Sequence, residues 1–394
     1  MKRKPLRVAF TVLWAAVCIA LILFLAGGVF SFGPIHFTSG VFSMNRGTIL
    51  GAELIYQESS AMQGVERLDV TAYSESVRVF AVDGGEFAIR QYGPADTLKE
   101  ELVQISRDGS ALRVTIPSRI NFRFIGIGII NNRLEIDVPR EWFGDAKIST
   151  SSGTLTLEHG FSWRSASLGA SSGTVRLTGP LTLEGDAGVT TSSGSVRLQD
   201  LTAASARLKT SSGTLSVDGK LILTGDLDAS TSSGALRLSG EVQAARMQVS
   251  TSSGTLTLGD VRADSVRGKT SSGRIRITKL ESASFDLETS SGGIQADALT
   301  GGGRLKSSSG SINMGTLRPT GNVDARASSG GVKLHIPTDL AFTFNAHCSA
   351  GSIKSNDYSL YYQGKNNKTA TYTHREGGPV VSVETTSGSI GLNR

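Results

Sequence analysis

Six basic residues recur at one position of a repeat: Arg176, Arg197, Arg237, Arg276, Lys333 and Lys354 each stand three places after a glycine. The full column reads Thr156, Arg176, Arg197, Ser216, Arg237, Thr257, Arg276, Gln295, Asn313, Lys333, Lys354 and Gly391, so half of it is basic and none is acidic. Cationic groups held on one face at regular spacing can meet an anionic polymer, such as a teichoic acid or an acidic glycan, or an anionic membrane surface. The competing reading gives them no ligand, because Arg and Lys on a solvent face also discourage lateral sheet association. A second candidate lies between Ser355 and Pro379, where Tyr358, Tyr361, Tyr362 and Tyr372 accompany Lys365, Lys368 and Arg375. Aromatic and basic residues in a long loop make a contact surface. Equally, the tyrosines could cover the last turns of the fold as a cap.

Groups for catalysis or metal binding do not assemble in this way. The five histidines, His36, His159, His335, His347 and His374, are scattered, no HExxH occurs, and no Lys has a Ser three places before it. Metallopeptidase and Ser-Lys hydrolase readings therefore lack their groups. Asp186, Asp226 and Asp260 are too sporadic for a calcium roll, which needs an Asp in each repeat. An ice-binding face would need Thr-x-Thr in nearly every repeat, and only Thr154 with Thr156 and Thr255 with Thr257 supply it. Of two cysteines, Cys18 sits in an apolar run, which leaves Cys348 without an intrachain disulfide partner. Its position in a column of small inward residues points to a buried, inert thiol. No metal, cofactor or enzymatic activity is expected. A carbohydrate-active β-helix enzyme, with carboxylates brought together across repeats, is the remote alternative.

The element that must position the basic column is the repeat itself. Ser-Ser-Gly or a close variant ends at Gly153, Gly173, Gly194, Gly213, Gly234, Gly254, Gly273, Gly292, Gly310, Gly330, Gly351 and Gly388, at spacings of 18 to 21 residues before one longer step. That period marks a solenoid. Two and four places after the glycine the residues are mostly apolar, as in Val175 and Leu177 or Leu236 and Leu238; seven and five places before it, Ala187 with Val189 and Ala206 with Leu208 repeat the alternation. Each repeat thus reads as strand, Ser-Ser-Gly corner, strand, turn. The same parity points Thr191, Thr210, Thr231, Thr251, Thr270 and Thr289 inward, where their hydroxyls need the backbone or the next Thr as partner. Stacked in register at about 4.8 Å, the coils form an all-β, single-stranded parallel β-helix of about 20 residues per coil, with right-handed winding favoured and a length on the order of 55 Å for twelve coils.

The rest of the chain frames this rod. Lys2, Arg3, Lys4 and Arg7 form a tip at 1–7, followed by an uncharged run at 8–32 long enough to cross a bilayer as a helix. The basic flank predicts a single-pass signal anchor in a bacterial membrane, N-terminus cytoplasmic and ectodomain outside. A cleaved signal peptide competes, but the run is long for an h-region and shows no cleavage site. Ala16 and Val17 before Cys18 do not resemble a lipoprotein site. Of 40 Lys and Arg, the four in the tip leave 36 against 34 acidic residues, so the ectodomain is nearly neutral and no nucleic acid is expected as a partner. Residues 33–64 read as a stalk, 65–140 as an N-terminal cap with irregular first coils, 141–354 as regular coils, and 355–394 as an insertion plus a closing coil. Within the cap, Ile120 to Ile130 is an apolar insertion, either cap core or an exposed patch.

The Thr-Ser-Ser-Gly-x-Leu-x-Leu coils, the Leu-x-Ile-x-Val-Pro segment at Leu134 to Pro139 and the closing Thr-Ser-Gly-Ser-Ile at Thr386 to Ile390 together resemble the bacterial, membrane-anchored DUF4097 family of β-strand-repeat proteins. In that family "adhesin" is a label of shape. The resemblance covers about 65–394 and implies a parallel β-helix outside a bacterial membrane, in adhesion or envelope-stress sensing, with no catalytic residues to carry over. The expected function is non-enzymatic surface binding. The alternative is a sensor or structural element acting through another membrane protein, since so short a cytoplasmic tip cannot signal alone.

Overall fold

The computed structural model describes residues 29–32, 35–38, 52–95, 97–117 and 132–394. The chain divides into two units, Met1–Gly51 with Ile127–Ile129, and Ala52–Gly126 with Ile130–Arg394. In the first, Val29–Phe32 and Ile35–Thr38 form an antiparallel hairpin. Most of the expected membrane span, residues 8–28, lies outside the described residues, and its last four residues are strand. Among the described residues no helix is long and apolar enough to cross a membrane. The apolar insertion at 120–130 also lies outside them.

The second unit is a parallel β-solenoid in which each regular coil between Asp145 and Ala327 has three walls, not two. In one coil, Asp145–Thr150 precedes the Ser-Ser-Gly corner, Leu155–Glu158 follows it, and Phe161–Trp163 forms the third wall. The next coils repeat this with Leu181–Leu183, Leu201–Ala203 and Leu221–Leu223 on the third wall. From Leu236 onward the bends tighten so that strand structure runs almost unbroken around the coil, as in Leu236–Thr251 and Leu256–Thr270. The third wall reads as a turn in the sequence because its strands carry only two inward residues each.

Register is uniform on the two walls that flank the corner, while irregularities fall at the bends around the third wall, as between Leu238 and Glu241 and between Glu281 and Ser284. Ile148 pairs with Leu168, Leu168 with Val189, and Val189 with Leu208, each one coil on. Identical parity in every coil stacks the inward side chains into columns, and Leu155, Val196, Leu215, Leu236, Leu256 and Ile275 are all fully buried. Burying such side chains stabilises by about 1.5–3 kcal/mol each before the cost of ordering the chain. At the N-terminal end the third wall is closed by aromatics: Trp163 lies 4.6 Å from Phe161 and 6.0 Å from Trp142, whose indole N–H donates to the Val65 carbonyl at 2.7 Å.

Both ends depart from simple succession. The first coil in sequence, Arg67–Ala72 with Ser76–Val82, is sandwiched between Asp145–Thr150 with Leu155–Glu158 on one side and Ala111–Thr115 with Arg133–Pro139 on the other. The last coil, Val380–Thr385 with Ile390–Asn393, is inserted between Leu317–Ala327 with Val332–His335 and Phe342–Cys348 with Ile353–Ser355. The outermost coils are therefore built from internal sequence, and antiparallel strands cover them. Thr369–His374 and Tyr361–Gln363 cap one end. Gln104–Asp108 and Glu86–Gly93 cap the other, with Glu53–Ala61 added to Glu86–Gly93, so the expected stalk at 33–64 already contains a cap strand.

Candidate anion-binding wall

The wall that follows the glycines is positioned by the corner. A Cβ added to Gly194 would lie 1.6 Å from the Gly173 carbonyl oxygen, and one added to Gly213 would lie 1.8 Å from the Gly194 oxygen. Gly330, Gly388 and Gly351 continue the same contacts in that spatial order, not in chain order. The corner glycines pack backbone on backbone, which only a residue without a Cβ permits. Beside them the inward threonines form a second ladder. From Thr210 onward each threonine hydroxyl accepts the glycine N–H of its own coil and donates to the glycine carbonyl of the coil before, as Thr251 does with Gly254 at 3.1 Å and Gly234 at 3.0 Å and Thr270 with Gly273 at 3.1 Å and Gly254 at 3.2 Å, whereas Thr191 donates to Gly194 of its own coil at 2.7 Å. Thr289, Ser307 and Thr385 donate in the same manner. Cys348 occupies this column, fully buried.

With the corners locked, the residues three places after each glycine fall into strict register. Thr156 pairs with Arg176, Arg176 with Arg197, Arg197 with Ser216, Ser216 with Arg237, Arg237 with Thr257, and Thr257 with Arg276. Gln295, Asn313 and Lys333 continue the line. One pairing differs from the order in the sequence: because the last coil is inserted, Gly391 sits between Lys333 and Lys354. The column also extends backward to Arg78, paired with Thr156 in a coil whose corner is Ser74-Glu75-Ser76. Sequence reading missed Arg78 because the glycine is absent there, although Val77-Arg78-Val79 repeats the alternation of Val175-Arg176-Leu177.

Charge is distributed unevenly among the walls. On the wall before the corner, Asp228 takes Arg207 and Lys209, Asp286 takes Arg267 and Arg304, and Glu288 takes Lys269 at 2.7 Å and Lys306 at 3.3 Å. Around the third wall, Arg246 pairs with Asp226, Lys220 with Glu241, and Arg262 with Glu281. On the wall after the corner, Arg78 is neutralised by Glu158 at 2.9 Å, and on the end strand beyond it Arg133 is neutralised by Glu135 at 3.0 Å. The Arg78 guanidinium, with help from the Thr178 hydroxyl, holds the Glu158 carboxyl below its ordinary range against the opposing effect of burial. Arg176, Arg197, Arg237, Arg276, Lys333 and Lys354 are exposed and form no ion pair or side-chain hydrogen bond among the described residues. Arg274, just before the strand that carries Arg276, is likewise exposed and unpaired there. Like charges one or two coils apart repel by about 0.4–0.9 kcal/mol at aqueous dielectric. The fold tolerates that, and a bound polyanion would reverse its sign.

The tyrosine candidates separate. Tyr358 is buried and its hydroxyl donates to the Ile336 carbonyl, while its ring meets Phe342 edge-on at 5.6 Å and Tyr372 at 5.2 Å. The half-buried Tyr372 lies against His374. These two serve the cap, as one of the two sequence readings holds. Tyr361 and Tyr362 are exposed on the outermost cap strand. Among the described residues no three His, Cys, Asp or Glu side chains converge as metal ligands would.

A three-walled parallel solenoid with two largely ion-paired walls and one that carries a row of unpaired cations from Arg176 to Arg276 is a repeat scaffold that presents a long surface. The chain belongs to the Toastrack DUF4097 family, whose profile matches residues 65–225 and 220–393. Among solved structures it is similar to a "putative adhesin" from Parabacteroides merdae at 12% identity and a TM-score of 0.41, covering 62% of this chain and 95% of that one. A "putative adhesin" from Bacteroides fragilis matches at 12% identity and a TM-score of 0.26, covering 86% and 96% respectively. A "putative cell adhesion protein" from Clostridium sporogenes matches at 9% identity and a TM-score of 0.19, covering 86% and 98%. None of the curated proteins matches the chain.

Proposed function

We propose that this protein is a non-enzymatic cell-envelope binding module, held in a bacterial membrane by the apolar run at 8–32, that displays its solenoid outside the cell and binds anionic polymer through the wall after the glycines. The reading rests on one observation above all: most cations of the two other walls are neutralised in ion pairs, Arg67, Arg113 and Lys147 excepted, while Arg176, Arg197, Arg237 and Arg276 stand exposed, in register and unpaired. Cations meant only to prevent lateral association would be served equally well by mixed pairs, as on the neighbouring walls.

The test uses the full chain in detergent on a dextran sulfate resin, beside a quadruple variant R176Q/R197Q/R237Q/R276Q. A second quadruple variant, R207Q/R246Q/R262Q/R304Q, removes the same charge from the paired walls. Retention that falls with salt, is lost in the first variant and persists in the second supports the wall. Equal retention of all three proteins removes it.

A further inference from the structure

We infer that the basic wall selects a linear polymer of tetrahedral oxyanions, phosphate or sulfate, lying parallel to the solenoid axis. This rests on the polyanion reading above and adds the orientation, the minimum length and the anion type. Orientation follows from register. Cations recur along the axis, one coil or two coils apart from Arg176 to Arg276, through the unbroken pairings of that column. Across the wall the charge stops. Two places further along the strands stand Thr178, Gln199, Asp218, Ser239, Thr278 and Asp297, with two exposed carboxylates and no cation. Two places before the column stand Thr174, Ser195, Thr214 and Thr255, with Arg274 the exception. A polyanion laid across the strands would meet one cation and then neutral or acidic groups; laid along the axis, it meets a succession of them.

The anion type follows from what lies between the arginines. Ser216 sits between Arg197 and Arg237, and Thr257 between Arg237 and Arg276. Ser216 points outward but is only 9% exposed, so its neighbours' stems form the sides of a trough. Its hydroxyl has no hydrogen-bond partner among the described residues, and the only buried side-chain polar atoms without one belong to Asn132 and Ser282, so it reaches solvent at the trough floor. Each trough therefore offers donors from above, below and beneath. The three free oxygens of a sulfate ester and the two of an in-chain phosphate are tetrahedrally disposed and can accept from different directions, whereas both oxygens of a carboxylate lie in one plane. Length follows from the span, since Arg176 to Arg276 covers five coil steps, about 24 Å at about 4.8 Å each.

The experiment titrates the full chain in detergent with size-fractionated polyphosphate, dextran sulfate fragments and oligogalacturonate of matched charge number. Affinity is expected to climb steeply until the fragment spans about 24 Å and then level off, as linked contacts reach their limit. Oligogalacturonate should bind at least about tenfold more weakly than the tetrahedral polymers, and S216A/T257V should shrink that ratio. A preference for polyphosphate or for dextran sulfate identifies the source. Equal binding of oligogalacturonate, or affinity independent of length, overturns the inference while the basic wall stands. Failure of every polymer to bind overturns both.

Discussion

The Thr231 hydroxyl donates to the Gly213 carbonyl, one coil earlier, at 3.1 Å. It also accepts the Gly234 N–H at 3.2 Å, so one buried side chain ties two consecutive corners together. Thr231→Val keeps the shape and removes both bonds, leaving a buried donor and a buried acceptor unpaired. A loss of about 1–3 kcal/mol is expected, read from the urea midpoint. No change would mean that the ladder follows the stacking instead of holding it.

Gly213→Ala should be worse. Its new Cβ would stand 1.8 Å from the Gly194 oxygen, a backbone atom that can yield only if the coils separate. The backbone there is not in the left-handed region, so the penalty is contact and not conformation. More than about 3 kcal/mol is expected, in the range reserved for overpacked cores. Hydrogen exchange should place the lost protection at the corners of Gly194, Gly213 and Gly234; uniform loss along the chain would contradict a local opening.

Deleting residues 380–394 should disrupt more than a tail. It removes Val381, Val383, Ile390 and Leu392, all buried, and leaves Leu317–Ala327 and Phe342–Cys348 without the strand between them. Protease sensitivity should appear across 317–379 while coils before Gly292 keep their protection. A digest that trims only the new C-terminus would argue against the inserted coil.

Acid should weaken the rod over a defined window. Lys269 first, then Lys306, hold the Glu288 carboxyl below its ordinary value of 4.5, and Arg78 does the same for Glu158. A folded-state value below the unfolded one contributes stability above the ordinary value and loses it as pH falls through the folded one. The urea midpoint should therefore be level near neutrality and decline below about pH 4.5, with Glu288→Gln showing a shallower decline. Binding of dextran sulfate to the wall should in contrast be flat from about pH 5 to 8, because arginine stays charged throughout.

Much of this was legible because a solenoid turns sequence period into spatial register. The residues two and four places after each glycine, the inward threonines and the buried Cys348 all lie where the alternation places them, and the basic column is continuous from Arg176 to Asn313. What local pattern could not carry is pairing between strands that are not successive. Nothing near Val380 or Ile390 announces that they insert before Phe342 and Ile353, and so the separation of Lys333 from Lys354 by Gly391 was invisible. The third wall was missed for a different reason: Leu181 and Leu183, flanked by Gly179, Pro180 and Gly185, carry too short an alternation to stand out from a turn. Arg78 escaped because Glu75 stands where the other corners have glycine.

The sandwiching of the first and last coils sets an order of assembly for a chain that emerges from its N-terminus. The first coil waits, one edge open, until 111–139 arrive to cover it and 145–158 to extend it. At the other end, Phe342–Cys348 can pair with Thr369–His374 but has no link to the rest of the solenoid until 380–394 have been delivered. Closure of the far end thus reports that the last residues have been received, so interrupted synthesis yields a protease-sensitive product in place of a shorter working rod.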